Sequence, residues 1–286
     1  MRTRRKGRWL QKQLRLGVGM CQGTFFFGEN LFGDGERMES KIRILNAGYT
    51  NLTSQELLDH LMEDVKQKRK SSVVFLNVDV VMKLEKDKEL ADITDRAEYV
   101  LADGMPLVWI SKLFHRPLKE KVSGSDFVPK LCSRAAKEGY SIFLAGGKDG
   151  IADRAAKKLK EAEPELKIAG VYCPPFGFEK DPAELEKFNR SVDESGADIV
   201  IVCLGCPKQE KYIAKNRDAY SAAVSVCAGA TIDFLAGNVK RCPAWMSQHG
   251  LEWFYRFCQE PGRLFKRYFV DDVKILGLIW KYRKQK

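Results

Sequence analysis

The sequence predicts an α/β protein: a Rossmann-like, open and mostly parallel sheet with helices on both faces, followed by a C-terminal helical appendage that associates with membranes. Three observations predict it. From Lys41 onward, short β-branched runs alternate with amphipathic stretches of roughly ten to sixteen residues, the pattern of a parallel sheet covered by helices. Polar or glycine-rich segments follow five of the predicted strands, where open α/β sheets bind ligands. The last residues, 238–286, interleave aromatic side chains with Lys and Arg, as interfacial helices do.

The elements follow in order. "KIRIL" (41–45) reads as the first strand. Thr53 and Glu56 then form a capping box that opens the helix "SQELLDHLMEDVKQK", each satisfying a free N–H of the first turn. "SVVFL" (72–76) is the second strand, followed by Asn77 and a helix through Lys88. "YVL" (99–101) leads to Asp103, and a helix follows near 105–114. Asp126 is placed to cap "FVPKLCSRAAKEG". "SIFLAGG" (141–147) is a strand whose glycines open the helix "KDGIADRAAKKLKEA", and "LKIAGVY" is the next strand. After Pro174–Pro175, which interrupts regular structure, come the helix "PAELEKFNRSVDES" and the strand "ADIVIVCLG". A loop and helix, "CPKQEKYIAKN", precede the last strand, "AAVSVCAGA". The division expected is 1–37 as a disordered extension or an upstream start of translation, 38–237 as the α/β body, and 238–286 as the appendage.

The formal charge of +11 is uneven: residues 1–37 hold eight Lys/Arg against three acids, residues 238–286 eleven against four, and the 200 between come to −1. Basic ends on a neutral body point to a polyanionic surface, anionic lipid or nucleic acid. No recognised nucleic-acid motif accompanies them. No apolar run is long enough to span a bilayer, and the apolar part of the N-terminal segment is too broken for a signal peptide. The eight cysteines are scattered, fitting reduced thiols in a cytoplasmic protein. Cys203 and Cys206 form a C-x-x-C without a second pair, and His60, His115 and His249 are far apart, so no metal site is expected.

Asn77, Asp103, Gly146–Gly147, Gly205 to Gln209 and Gly229 to Asp233 all fall just past a predicted strand's carboxyl end. Glycines there let a backbone approach a ligand, and helix N-termini present N–H groups to anions such as a diphosphate. No G-x-G-x-x-G or Walker sequence is present, so neither a dinucleotide nor NTP hydrolysis is supported. In "YVLADGMPLVWI", Asp103 is followed by Gly104. The pair makes an ordinary turn, and the same position lies on the ligand rim.

At "LGCPKQEKYIAKN", taken with "LADGMP", "EKVSGSDF" and "AGNVKRCPAWMSQHGLEWFYRFCQEPGRL", the chain resembles the WecG/TagA/CpsF glycosyltransferases, family 26, from about Ile42 to Tyr268. The resemblance implies transfer of an N-acetylmannosamine-type sugar from a UDP donor to undecaprenyl-diphosphate-linked N-acetylglucosamine. The step serves teichoic acid or related surface polymers and inverts the sugar carbon. It further implies Asp103 as the catalytic base, Asn77, Gln209 and Asp233 in the donor pocket with Gly104 beside them, and a place on the inner face of the bacterial plasma membrane. Two departures stand out. Phe75 replaces a frequent Thr, which leaves open another UDP-hexose such as glucose or N-acetylmannosaminuronic acid. Lys121 replaces a frequent Arg, which keeps the charge but gives up bidentate geometry.

An inverting displacement needs one base for the acceptor hydroxyl and something to stabilise the leaving diphosphate. The chain contains no D-x-D sequence, so cations are expected in place of a bridging metal: Lys121 and, from the appendage, Arg256, Arg263, Lys266 and Arg267. No cofactor is expected. The appendage suits an anionic membrane surface, with a core-packed helix or a homo-oligomer interface as the alternative. A nucleic-acid- or nucleotide-binding module without catalysis is the rival from another class.

Overall fold

The computed structural model describes residues 40–243, 246 and 250–285, with the backbone alone at 263 and 285. The 1–37 segment and His249 lie outside the described residues.

The chain begins with a two-stranded antiparallel ribbon, β1 (Lys41–Ile44) and β2 (Ala47–Thr50), that stays out of the main sheet. The expectation of "KIRIL" as a sheet strand is corrected here. The run ends at Ile44, and Leu45 turns it back at φ +57°, fully buried against the core. Gly48 in the returning strand weakens its β signal, so the pairing was not legible. The ribbon covers the sheet's edge, with Val100 N–H donating to Thr50 Oγ1 at 3.0 Å, which removes an open edge that could pair with another chain.

Helix α1 (Ser54–Lys66) follows, and its Thr53–Glu56 capping box is present as expected. Then come β3 (Ser71–Leu76), α2 (Val78–Leu84), α3 (Lys88–Arg96), β4 (Tyr99–Ala102), α4 (Met105–Leu113) and α5 (Gly124–Glu138). The helix expected through Lys88 is broken, because Asp87 accepts from Leu90 N–H and caps α3 instead, a role its short acceptor suits. Asp126 is likewise not a cap. The N-cap of α5 is Ser123, and Asp126 sits inside the first turn, where it accepts from Ser123 Oγ at 2.7 Å.

The remaining elements are β5 (Ser141–Gly146), α6 (Ile151–Ala162), β6 (Lys167–Tyr172), α7 (Pro182–Glu194), β7 (Ile199–Cys203), α8 (Lys208–Asn216), β8 (Val224–Cys227) and α9 (Thr231–Leu235). Helices at Glu252–Gln259, Pro261–Lys266 and Ile275–Lys281 complete the chain. Six strands form one parallel sheet in the order β4-β3-β8-β7-β5-β6.

Strand alternation builds the two faces. Val73, Phe75, Ile199 and Ile201 join a core with α1, α5, α6 and α9, whereas Val74, Leu76, Val200 and Val202 join a second core with α2, α4, α7 and α8. The strands are apolar on both faces because helices cover both. Neighbouring parallel strands therefore bring the carboxyl ends of β4, β3, β8 and β7 to one rim.

Candidate functional site

The rim is assembled at the end of β4. Asp103 N–H donates to Leu76 O at 2.7 Å and Val122 N–H to Ala102 O at 3.0 Å, tying this end to β3 and to the approach to α5. Gly104 has φ +131°, a conformation that residues with a Cβ rarely adopt. The Asp-Gly pair is thus a turn, and the turn leaves the half-buried Asp103 carboxylate lining two cavities at once. Its carboxyl is pushed up to about 6, first by burial and then by the Glu252 carboxylate, against the pull of Lys121 and Arg256.

The smaller cavity, 380 Å³, lies over the ends of β3, β7 and β8 and is bounded by polar groups and glycines: Asn77, Gly205, Gln209, Glu210 and Gly229 among them. Gln209 is buried at its edge. Its Oε1 accepts from Gly229 N–H at 2.9 Å, and its Nε2 donates to Glu210 Oε1 at 2.8 Å. Asn77 caps α2 by accepting from Val80 N–H at 3.1 Å, and Arg267 Nη2 approaches the same oxygen at 3.4 Å. Asp233, expected in the donor pocket, lines neither cavity; Asn238 Nδ2 donates to its carboxylate at 3.4 Å.

The larger cavity, 480 Å³, shares Asn77, Asp103, Glu252, Arg256 and Arg267 with the first and is walled for the most part by the C-terminal segment, with Trp253, Tyr268, Phe269, Val273 and Leu276. Gly104 and Lys121 line it from the body. Lys121 Nζ lies 3.1 Å from Asp126 Oδ2, and Arg241 pairs with the same carboxylate. The Arg256 guanidinium sits 5.3 Å from the Phe234 ring centre. Arg267 Nη2 is 3.8 Å from Asp79 Oδ2. Three of the five expected cations, Lys121, Arg256 and Arg267, therefore gather at the cavities. Lys266 is exposed and lines neither, and the Arg263 side chain lies outside the described residues.

Four carboxylates at the site were not singled out from sequence, and one of them, Asp79, lines the smaller cavity paired with Lys83 at 2.7 Å. Glu252 lines both cavities and raises the Asp103 pKa. It stands in "LEWFYR", where basic and aromatic neighbours drew the reading toward a membrane surface. Glu210 stands in the quoted "PKQE" and is 2% exposed. Asp272 lines the larger cavity, and its carboxyl is pushed up to about 6, chiefly by burial.

Among the described residues, no three or more His, Cys, Asp or Glu side chains are grouped to hold a metal ion. Cys203 and Cys206 are free thiols. Burial pushes Cys203 up to about 12 and raises Cys206 as well, which leaves little thiolate for redox chemistry at neutral pH.

With one polar and one largely apolar cavity meeting at a carboxylate, and cations lining both, the arrangement can hold two substrates and move a proton between them. The family model described as "Glycosyl transferase WecG/TagA/CpsF family" matches residues 42–286. The N-acetylglucosaminyldiphosphoundecaprenol N-acetyl-beta-D-mannosaminyltransferase of Bacillus subtilis (strain 168) is 32% identical over 221 residues, covering 77% of this chain and 84% of that protein.

Proposed function

The chain belongs to the WecG/TagA/CpsF family of glycosyl transferases, and from that membership we propose that it moves N-acetylmannosamine from UDP-N-acetylmannosamine onto undecaprenyl-diphosphate-linked N-acetylglucosamine. The transfer inverts the sugar carbon, needs no metal ion and serves surface-polymer synthesis. The observation that carries this reading is the position of Asp103, at the junction of the polar and the apolar cavity. The polar cavity suits the nucleotide-sugar. The larger one, with its aromatic wall, suits a sugar on a lipid diphosphate.

At that junction the ionised Asp103 accepts the proton of the acceptor hydroxyl as the oxygen attacks the sugar carbon. The bond from that carbon to the diphosphate breaks, and the negative charge grows on UDP. Arg256 and Arg267 line both cavities and meet that charge, and Lys121 lines the larger one; fixed cations in a partly desolvated site stabilise a developing anion far more than water does. A general base of this kind contributes ~10²–10⁴ in rate.

The appendage supplies the membrane contact in this reading. Trp253, Phe265, Phe269, Leu276 and Trp280 are exposed large apolar side chains on it, and Trp109 and Leu113 add to them from α4. Among the described residues no helix is long and apolar enough to cross a membrane. Such a surface suits the bilayer interface, with cations near anionic headgroups; on this reading the enzyme is peripheral, on the cytoplasmic face, and meets its lipid acceptor there.

One observation favours a second donor. Phe75 lines the polar cavity and packs against Phe127 at 5.8 Å between ring centres, an apolar wall compatible with glucose or N-acetylmannosaminuronic acid. A panel of UDP-sugars with a short-chain lipid-diphosphate N-acetylglucosamine, with and without EDTA, separates the readings. UDP release from UDP-N-acetylmannosamine that survives EDTA is expected. Release with UDP-glucose alone would overturn the donor assignment, and loss with EDTA the metal independence.

A further inference from the structure

Glu210 has the environment of a ligand-binding residue that no step above uses. It is the second residue past Lys208 at the start of α8, lines the polar cavity and is 2% exposed. One oxygen is engaged: Oε1 accepts from Gln209 Nε2 at 2.8 Å, and Gln209 is itself fixed through Gly229 N–H. The other oxygen, Oε2, is buried without a hydrogen-bond partner of good geometry; the Cys206 thiol beside the carboxyl is a weak donor. Lys83, which also lines the cavity, is drawn to Asp79 at 2.7 Å. A buried carboxylate oxygen left without a partner is costly, and burial accordingly raises this carboxyl above its usual range. Apolar or amide side chains would fill the space at lower cost. Unsatisfied groups of this kind concentrate where a ligand completes them.

We propose that Glu210 is a donor-binding residue, whose Oε2 accepts a hydrogen bond from a hydroxyl or amide N–H of the nucleotide-sugar held in the polar cavity. The Gly229–Gln209–Glu210 chain orients the carboxylate, so that its free oxygen keeps one direction. The inference rests on the reading of this cavity as the donor site. Both the sugar and the nucleoside offer groups of this chemistry, and the test distinguishes them.

Glu210→Gln keeps the side chain's shape and the acceptor for Gln209 while replacing the free acceptor by an N–H donor. Glu210→Asp keeps the charge and withdraws it. Titration calorimetry of the wild type and each folded variant with UDP and with UDP-N-acetylmannosamine reads the effect. A loss of at least tenfold is expected, the scale of one hydrogen bond to a charged group. Loss for both ligands assigns the contact to the nucleoside; loss for UDP-N-acetylmannosamine alone assigns it to the sugar. The KM for the lipid acceptor stays unchanged in either case. Unaltered affinity for both ligands in a folded variant overturns the inference and reduces Glu210 to a support for Gln209. Failure of the donor-site reading looks different, because the wild type itself would then bind neither ligand.

Discussion

Burial first, and Glu252 after it, push the Asp103 carboxyl up to about 6, so at pH 7 its ionised form is expected to exceed its acid form by about tenfold. A base must be ionised to accept a proton, and kcat/KM is therefore expected to fall as pH drops through about 6. Glu252 contributes more to that shift than any other carboxylate. Glu252→Gln removes a negative charge that disfavours ionisation of Asp103, so the acidic limb of the pH–rate profile should move to lower pH; an upward move would contradict the assignment. The same shift carries a stability consequence. A carboxyl whose folded pKa is raised stabilises the protein fully only below its unfolded pKa, and that contribution is lost as pH rises through about 6. Asp103→Asn should consequently melt at or above the wild-type temperature at pH 8, with the difference vanishing near pH 4. A clear loss of melting temperature at pH 8 would mark Asp103 as structural.

At the scale of elements, the segment that walls the larger cavity is fastened at its far end. Lys281 Nζ reaches Glu85 Oε2 at 2.6 Å and Tyr282 Oη donates to Glu85 Oε1 at 3.0 Å, while Leu278 is buried in the core beside them. Lys281 and Tyr282 hold the Glu85 carboxyl below its usual range despite its burial. Glu85→Ala removes the acceptor that Lys281 and Tyr282 share, and that of Asn46 Nδ2 as well, which should cost on the order of 1 kcal/mol at this half-open site and speed proteolysis within 270–286. Cleavage at the wild-type rate would show that the fastening lies elsewhere. The body's strands were legible because residues buried on both faces leave unbroken apolar runs, and α1 was legible through Thr53 and Glu56. The β1–β2 ribbon was hidden by Gly48, and the break before α3 by reading Asp87 as one more helical residue. The rim residues Asn77 and Asp103 could be found because they follow strands directly, and Gln209 because it opens the helix after one. Glu252 could not, since only the tertiary return of a distant helix brings it to Asp103.

Across the whole molecule, residues 238–286 hold eleven Lys/Arg against four acids, and among the described residues most of the exposed large apolar side chains lie there. Flotation with anionic liposomes is expected to weaken at high salt, and Leu276→Glu with Trp280→Glu should reduce it at least severalfold. Steeply salt-dependent DNA binding without flotation would instead favour the nucleic-acid reading of the basic ends. The central claim, that Asp103 is the base at the meeting point of donor and acceptor, is tested most directly by turnover of UDP-N-acetylmannosamine on a short-chain lipid-diphosphate N-acetylglucosamine by the wild type and Asp103→Asn, alongside UDP affinity. The expected result is UDP release by the wild type, a fall of ~10²–10⁴ in kcat in the variant, and unchanged UDP binding. Turnover by a folded Asp103→Asn at the wild-type rate would contradict it.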